Sequence, residues 1–138
     1  MPRSLKHIHH WDVLARSCID GRFIKRTIDW IVERTGGVFD FRTGIGSTKA
    51  ILESSIDRQS FFKVIETSVK LHKIKEVWLI DHTDCGAYGG SKSFENEEEE
   101  KVFHVAKLNQ AAETVQKQFP KLKIKKVYVG WEEIEEIG

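Results

Sequence analysis

Short apolar runs alternate along this chain with longer stretches in which apolar residues return every third or fourth position. That alternation limits the possible folds more than any single motif does. The runs "DVLARSC" (12–18), "VFDF" (38–41), "EVWLID" (76–81) and "IKKVYVG" (124–130) read as buried strands. Between the first two, residues 22–37 carry Phe23, Ile24, Ile28, Ile31 and Val32 at helical spacing and stop at Gly36-Gly37. A second helix is expected from about Arg58 to His72, with Phe61, Phe62, Ile65 and Val69 on one face. A third is expected over 97–119, with Val102, Val105, Leu108, Ala112 and Val115 as its buried stripe and Pro120 just past its end. Ser47 could cap a further helix after "RTGIGS". The tail "WEEIEEIG" repeats its apolar residues every third position and fits neither period. Strands separated by helices pair in parallel through helical crossovers. The expected fold is therefore α/β: an open, mainly parallel β-sheet of about four strands plus an edge strand, flanked by helices. The length of 138 residues suits a single domain over 1–138.

The charge balance excludes two classes of partner. A formal net charge of +1 gives no electrostatic basis for binding nucleic acid or an acidic membrane. No apolar run approaches the ~18 residues of a spanning helix. "MPRSLKHIHHWD" lacks the apolar centre of a signal peptide, so the expected location is cytoplasmic. There, two cysteines are expected as free thiols or metal ligands rather than as a disulfide.

Sites in open parallel sheets form at the carboxyl ends of strands. Cys18 ends the first run, "RTGIGS" follows the second, and His82 and Cys85 follow the third. Three readings of the cysteines stand side by side. Each can be a small buried hydrophobe; one can be a nucleophile with His82 as its base, although that chemistry needs no second cysteine. Or two thiolates and one imidazole can hold a zinc ion one ligand short of tetrahedral, the pattern of a catalytic rather than a closed structural site. A phosphatase Cys-x5-Arg is absent, because Ile24 and Ser91 occupy the needed positions. "TGIGSTK" fails both nucleotide motifs: Lys49 stands where the third glycine is required, and no Gly-Lys-Ser/Thr is present. The histidines of "HIHH" read as solvent-exposed, and His72 and His104 as surface or half-buried helix residues. The acidic run Glu97 to Glu100 reads as a solvated first helical turn, favoured by the helix dipole.

Assembled in order, these residues resemble the β-class carbonic anhydrases, and most closely their archaeal-type branch. That family carries Cys-x-Asp-Ser/Ala-Arg after its first core strand and His-x-x-Cys-Gly after its third. Here they read Cys18-Ile19-Asp20-Gly21-Arg22 and His82-Thr83-Asp84-Cys85-Gly86. Arg42-Thr43-Gly44-Ile45 loosely matches a second-strand Arg-Asn-Ala-Gly, and "YVGWEEIEEIG" looks like the closing strand. The likeness spans roughly residues 12–138. It implies one Zn²⁺ per chain on Cys18, His82 and Cys85, with water in the fourth position. It also implies reversible hydration of CO2 to bicarbonate by zinc-bound hydroxide. Asp20 would orient that hydroxide and Arg22 would hold Asp20 away from the metal; in some members the pair breaks and the aspartate closes the site. The resemblance further implies a homodimer or a higher even-numbered assembly; Trp11, Trp30, Phe39 and Phe41 could supply its apolar surface or equally belong to the core. Gly21 and Thr43 depart from the family pattern, and most of the amino-terminal helical arm is missing. Two other functions keep the same zinc site: hydrolysis of a related small molecule such as COS or CS2, and a decayed zinc scaffold. Retention of both Asp20 and Arg22 argues against the scaffold.

Overall fold

The structure, a computed structural model, describes residues 4–138. Strands β1 (Val13–Cys18), β2 (Asp40–Gly44), β3 (Glu76–His82), β4 (Lys123–Val129) and β5 (Ile134–Ile137) form one sheet in the order β2-β1-β3-β4-β5. The first four run parallel and β5 runs antiparallel to β4. Helices α1 (Gly21–Thr35), α2 (Thr48–Glu53), α3 (Ser55–His72) and α4 (Glu97–Gln118) make the crossovers. This is the expected open α/β sheet with one antiparallel edge. No helix among the described residues is long and apolar enough to cross a membrane.

Both faces of the sheet are covered, so the central strands β1 and β3 are buried at nearly every position. Leu14, Val77 and Leu79 pack with Ile51, Phe61, Ile65, Leu108 and Val115 on the side of α2, α3 and α4. Val13, Ala15, Trp78 and Ile80 pack with Phe23, Trp30 and Ile31 of α1 on the other. The tail joins as β5, and its period of three has a physical reason: Ile137 packs on the first cluster and Ile134 on the second, on opposite faces of the sheet.

Local signals set most boundaries. Gly36 ends α1 in the left-handed region (φ 79°), its N–H donating to Val32 O at 2.9 Å. Ser54 caps α3 and Asn96 caps α4, accepting from Asp57 N and Glu99 N. Ser47 does not cap α2. Its φ is 52° and its buried Oγ has no partner. Asp81 of β3 serves instead, with Oδ1 accepting from Thr48 N (3.3 Å) and Oδ2 from Thr48 Oγ1 (2.8 Å). Strand β2 begins later than its apolar residues suggest and runs on through Arg42-Thr43-Gly44, because its ladder with β1 pairs Cys18 with Gly44. A side chain at position 44 would run into the buried Arg16 guanidinium, so glycine is required there.

Helix α4 departs most from expectation. Its buried residues are Glu100, His104, Leu108, Ala111 and Val115, while Val102 is 60% exposed. Glu100 is not part of a solvated turn, and His104 is fully buried, with Nδ1 2.8 Å from Asp81 Oδ2. The stripe keeps its helical period but starts with two polar residues, which a count of apolar positions passes over.

Candidate metal centre

The strand order places a topological switch between β1 and β3. From β1 the chain moves outward to β2, then crosses back over β1 to begin β3 on its far side. A crevice opens at such a reversal, outside the carboxyl ends of the two strands. Cys18 is the last residue of β1 and His82 the last of β3, and Cys85 follows in the next turn. That turn is closed by Tyr88 N and Gly90 N, which both donate to Cys85 O, at 3.1 and 2.9 Å.

The two sulfurs and one imidazole nitrogen lie within 4.8 Å of one another. All three residues are buried and both cysteines are free. The Cys85 thiol beside it favours the Cys18 thiolate and lowers that group's pKa; the same contact, with burial, raises Cys85. His82 Nδ1 is 2.6 Å from Thr83 O, which makes it the protonated nitrogen and leaves a lone pair on Nε2. Nε2 is buried with no hydrogen-bond partner. A buried acceptor left unsatisfied is costly, and here it faces two sulfurs. The donor set therefore fits a thiophilic, nitrogen-accepting divalent ion such as zinc. The Phe23 ring, stacked on His82 at 4.3 Å, fixes the imidazole plane.

Asp20 and Arg22 stand beside this cluster at the start of α1. Asp20 is the N-cap, with Oδ1 accepting from Arg22 N at 3.0 Å. The Arg22 side chain grips the same carboxylate, Nη2 to Oδ2 at 2.6 Å and Nε to Oδ1 at 3.1 Å. Hydrogen bonding from Arg22 holds the Asp20 carboxyl down to about 2. Asp20 Oδ2 lies 3.9 Å from His82 Nε2, facing the ligand atoms while bound to arginine. The dyad is thus paired in this structure.

Arg22 reaches further than the sequence suggested. Nη1 donates to Asp84 Oδ2 and Nη2 to Asp84 O, each at 3.0 Å, so it ties the Asp20 turn to the Cys85 turn. Asp84 adopts φ 54°, a conformation that aspartate tolerates better than most residues. An Asp between two candidate ligands was the available signal for this role. The contribution of Phe23 left no comparable trace. Among the described residues no other group of three His, Cys, Asp or Glu is placed to hold a metal. His7, His9 and His10 are exposed, and His72 pairs with Asp40.

Comparison with known proteins agrees with the geometry. A family profile described as "Putative carbonic anhydrase" matches residues 9–137. An uncharacterized protein of Rickettsia conorii is 32% identical, covering 87% of this chain and 68% of its own; one from Rickettsia bellii is 30% identical, covering 87% and 77%. Among solved structures, a tetrameric β-carbonic anhydrase from Sordaria macrospora superposes with a TM-score of 0.63 at 17% identity, covering 94% of this chain and 82% of that one. β-Carbonic anhydrase isoform I of Trichomonas vaginalis gives 0.57 at 16% identity, covering 99% and 87%. At these identities the two structures speak to the fold.

Proposed function

The chain belongs to the family described as "Putative carbonic anhydrase" and shares the fold of β-carbonic anhydrases, and from that premise we propose that it catalyses the reversible hydration of CO2 to bicarbonate with one zinc ion per chain. Cys18, His82 and Cys85 would hold the metal. Bound there, zinc would supply the Lewis acidity that makes hydroxide available near neutral pH. The observation that carries the reading is the intact Asp20–Arg22 pair beside an imidazole nitrogen with no partner. A site that only stores zinc needs no such pair.

The roles of the chain's own groups follow from what each can donate or accept. Asp20, ionised and turned towards the ligand atoms, accepts a hydrogen bond from the attacking O–H and so directs an oxygen lone pair at the carbon of CO2. Arg22 occupies the Asp20 oxygens and keeps the carboxylate from becoming a ligand itself. Thr83 O fixes the His82 tautomer, so Nε2 presents a lone pair. Two thiolates donate charge that lowers the acidity of a bound metal, which places more weight on this surrounding hydrogen bonding.

The test is stopped-flow CO2 hydration, with zinc content measured on the same preparation. Near-stoichiometric zinc together with hydration well above the buffer rate is expected. A preparation loaded with zinc but without hydration would overturn this reading and leave the related small-molecule hydrolase and the zinc scaffold.

A further inference from the structure

We propose that Glu100 is a positioning residue for the metal centre: from the first turn of α4 its carboxylate fixes the segment that carries Cys85 and aims Asp84 at Arg22. The inference rests on the zinc reading of the site. Glu100 is 1% exposed, and no lysine, arginine or histidine pairs with it among the described residues. A buried carboxylate without a counter-charge is costly unless its oxygens are well supplied with donors. Here every donor to the carboxylate comes from one short stretch. Thr83 Oγ1 donates to Oε1 (3.0 Å) and Asp84 N to Oε2 (2.8 Å), while Ser91 Oγ lies 2.9 and 3.1 Å from the two oxygens. The positive end of α4 offers further support to the charge.

That stretch runs from the residue after His82 to just beyond the turn that follows Cys85. Its far end closes on its near end: Ser91 N donates to Asp84 Oδ1 at 2.8 Å, leaving Oδ2 for Arg22 Nη1 at 3.0 Å. One carboxylate on α4 therefore reaches two parts of the site. Through Thr83 and Asp84 it sets where Cys85 stands against Cys18 and His82. Through the Asp84 side chain it sets the orientation of the arginine that grips Asp20. Partners that orient ligands are typically worth about 10- to 100-fold in metal affinity or activity.

The test compares zinc affinity, by competition with a chromophoric chelator, across three variants of the full chain. Glu100→Ala should bind zinc about 10- to 100-fold more weakly than wild type and shift the thiolate-to-metal absorption of the cobalt(II)-substituted protein. Glu100→Gln should recover most of the affinity, since it keeps the shape and an acceptor oxygen, and the hydroxyls can turn to accept from its amide. Val115→Ala, a core truncation in the same helix, should lower the melting temperature and leave zinc affinity unchanged. Equal zinc affinity in Glu100→Ala and Val115→Ala overturns the proposal. If Glu100→Ala does not fold, Ser91→Ala decides, because it removes one donor without opening the core: weaker zinc binding and faster exchange of the Asp84 amide support the role, and wild-type values refute it. If the wild type binds no zinc, the zinc reading fails by itself. Hydrogen exchange at Asp84 and Ser91 then still reports whether Glu100 holds this segment.

Discussion

Asp20 joins folding and chemistry in one carboxylate. It caps α1 through Oδ1, takes the Arg22 side chain on both oxygens, and stands 3.9 Å from His82 Nε2. The two jobs separate by substitution. Asn is as good an N-cap as Asp, so Asp20→Asn should fold and bind zinc normally. Its amide, however, would turn donors towards the nucleophile in place of one acceptor, and CO2 hydration should fall about 10²-fold or more. Asp20→Ala should lose activity to a similar degree and also about 1 kcal/mol of stability from the missing cap, read by urea denaturation. Hydration by Asp20→Asn at more than half the wild-type rate would remove Asp20 from the mechanism. The three candidate ligands were legible from residue type and their place at strand ends, and Asp20 and Arg22 through the family motif they complete. Asp84 offered only its place between two candidate ligands as a signal, because its contact with Arg22 joins residues 62 positions apart.

Helix α4 makes the same point for a whole element. Its limits were readable to within a residue, from a long periodic segment that opens on an acidic run and closes before Pro120; the Asn96 cap emerged only in the structure. Its rotation about its own axis was not. Both the expected stripe and the observed one contain Leu108 and Val115, but towards the amino end the buried face continues through His104 and Glu100. Polar residues occupy those turns because that end of the helix faces Asp81 and the Cys85 segment rather than apolar core. Thermal or urea unfolding checks this orientation. Leu108→Ala, at a fully buried site, should cost about 2–5 kcal/mol. Val102→Ala, at a position 60% exposed, should change stability by no more than about 0.5 kcal/mol. Comparable losses at the two positions would contradict the helix orientation described above.

At the scale of the molecule, the sheet has one well-covered centre and two unlike edges. The β5 edge is short and antiparallel to β4, with acidic residues between its isoleucines. At the other edge every residue of β2 is only half-buried, and Phe39 and Phe41 pack partly on the core. Trp30, by contrast, is a core residue, packed edge-on against Trp78. We expect the β2 edge, with Trp11, Phe39 and Phe41, to lie against a second copy, so that the protein is a homodimer or a larger even-numbered assembly. Light scattering at micromolar concentration should return at least twice the chain mass of 15.9 kDa. A monomer at that concentration would refute the assembly.

The sequence by itself determined the alternation of strand and helix, the parallel sheet that alternation requires, and the three candidate metal ligands. All of these depend on local periodicity or on side-chain chemistry, which neighbouring residues carry with them. Tertiary structure alone decided which strands are neighbours, and so that Cys18 and His82 flank one crevice. It decided that Ile134 and Ile137 serve opposite faces of the sheet, that Asp81 rather than Ser47 caps α2, and that Glu100 turns inward. Strand order and the facing of the isoleucines follow from apolar packing between separated segments. The buried carboxylates Asp81 and Glu100 are met by donors from other segments of the chain, and neither kind of meeting has a period to be read along the sequence.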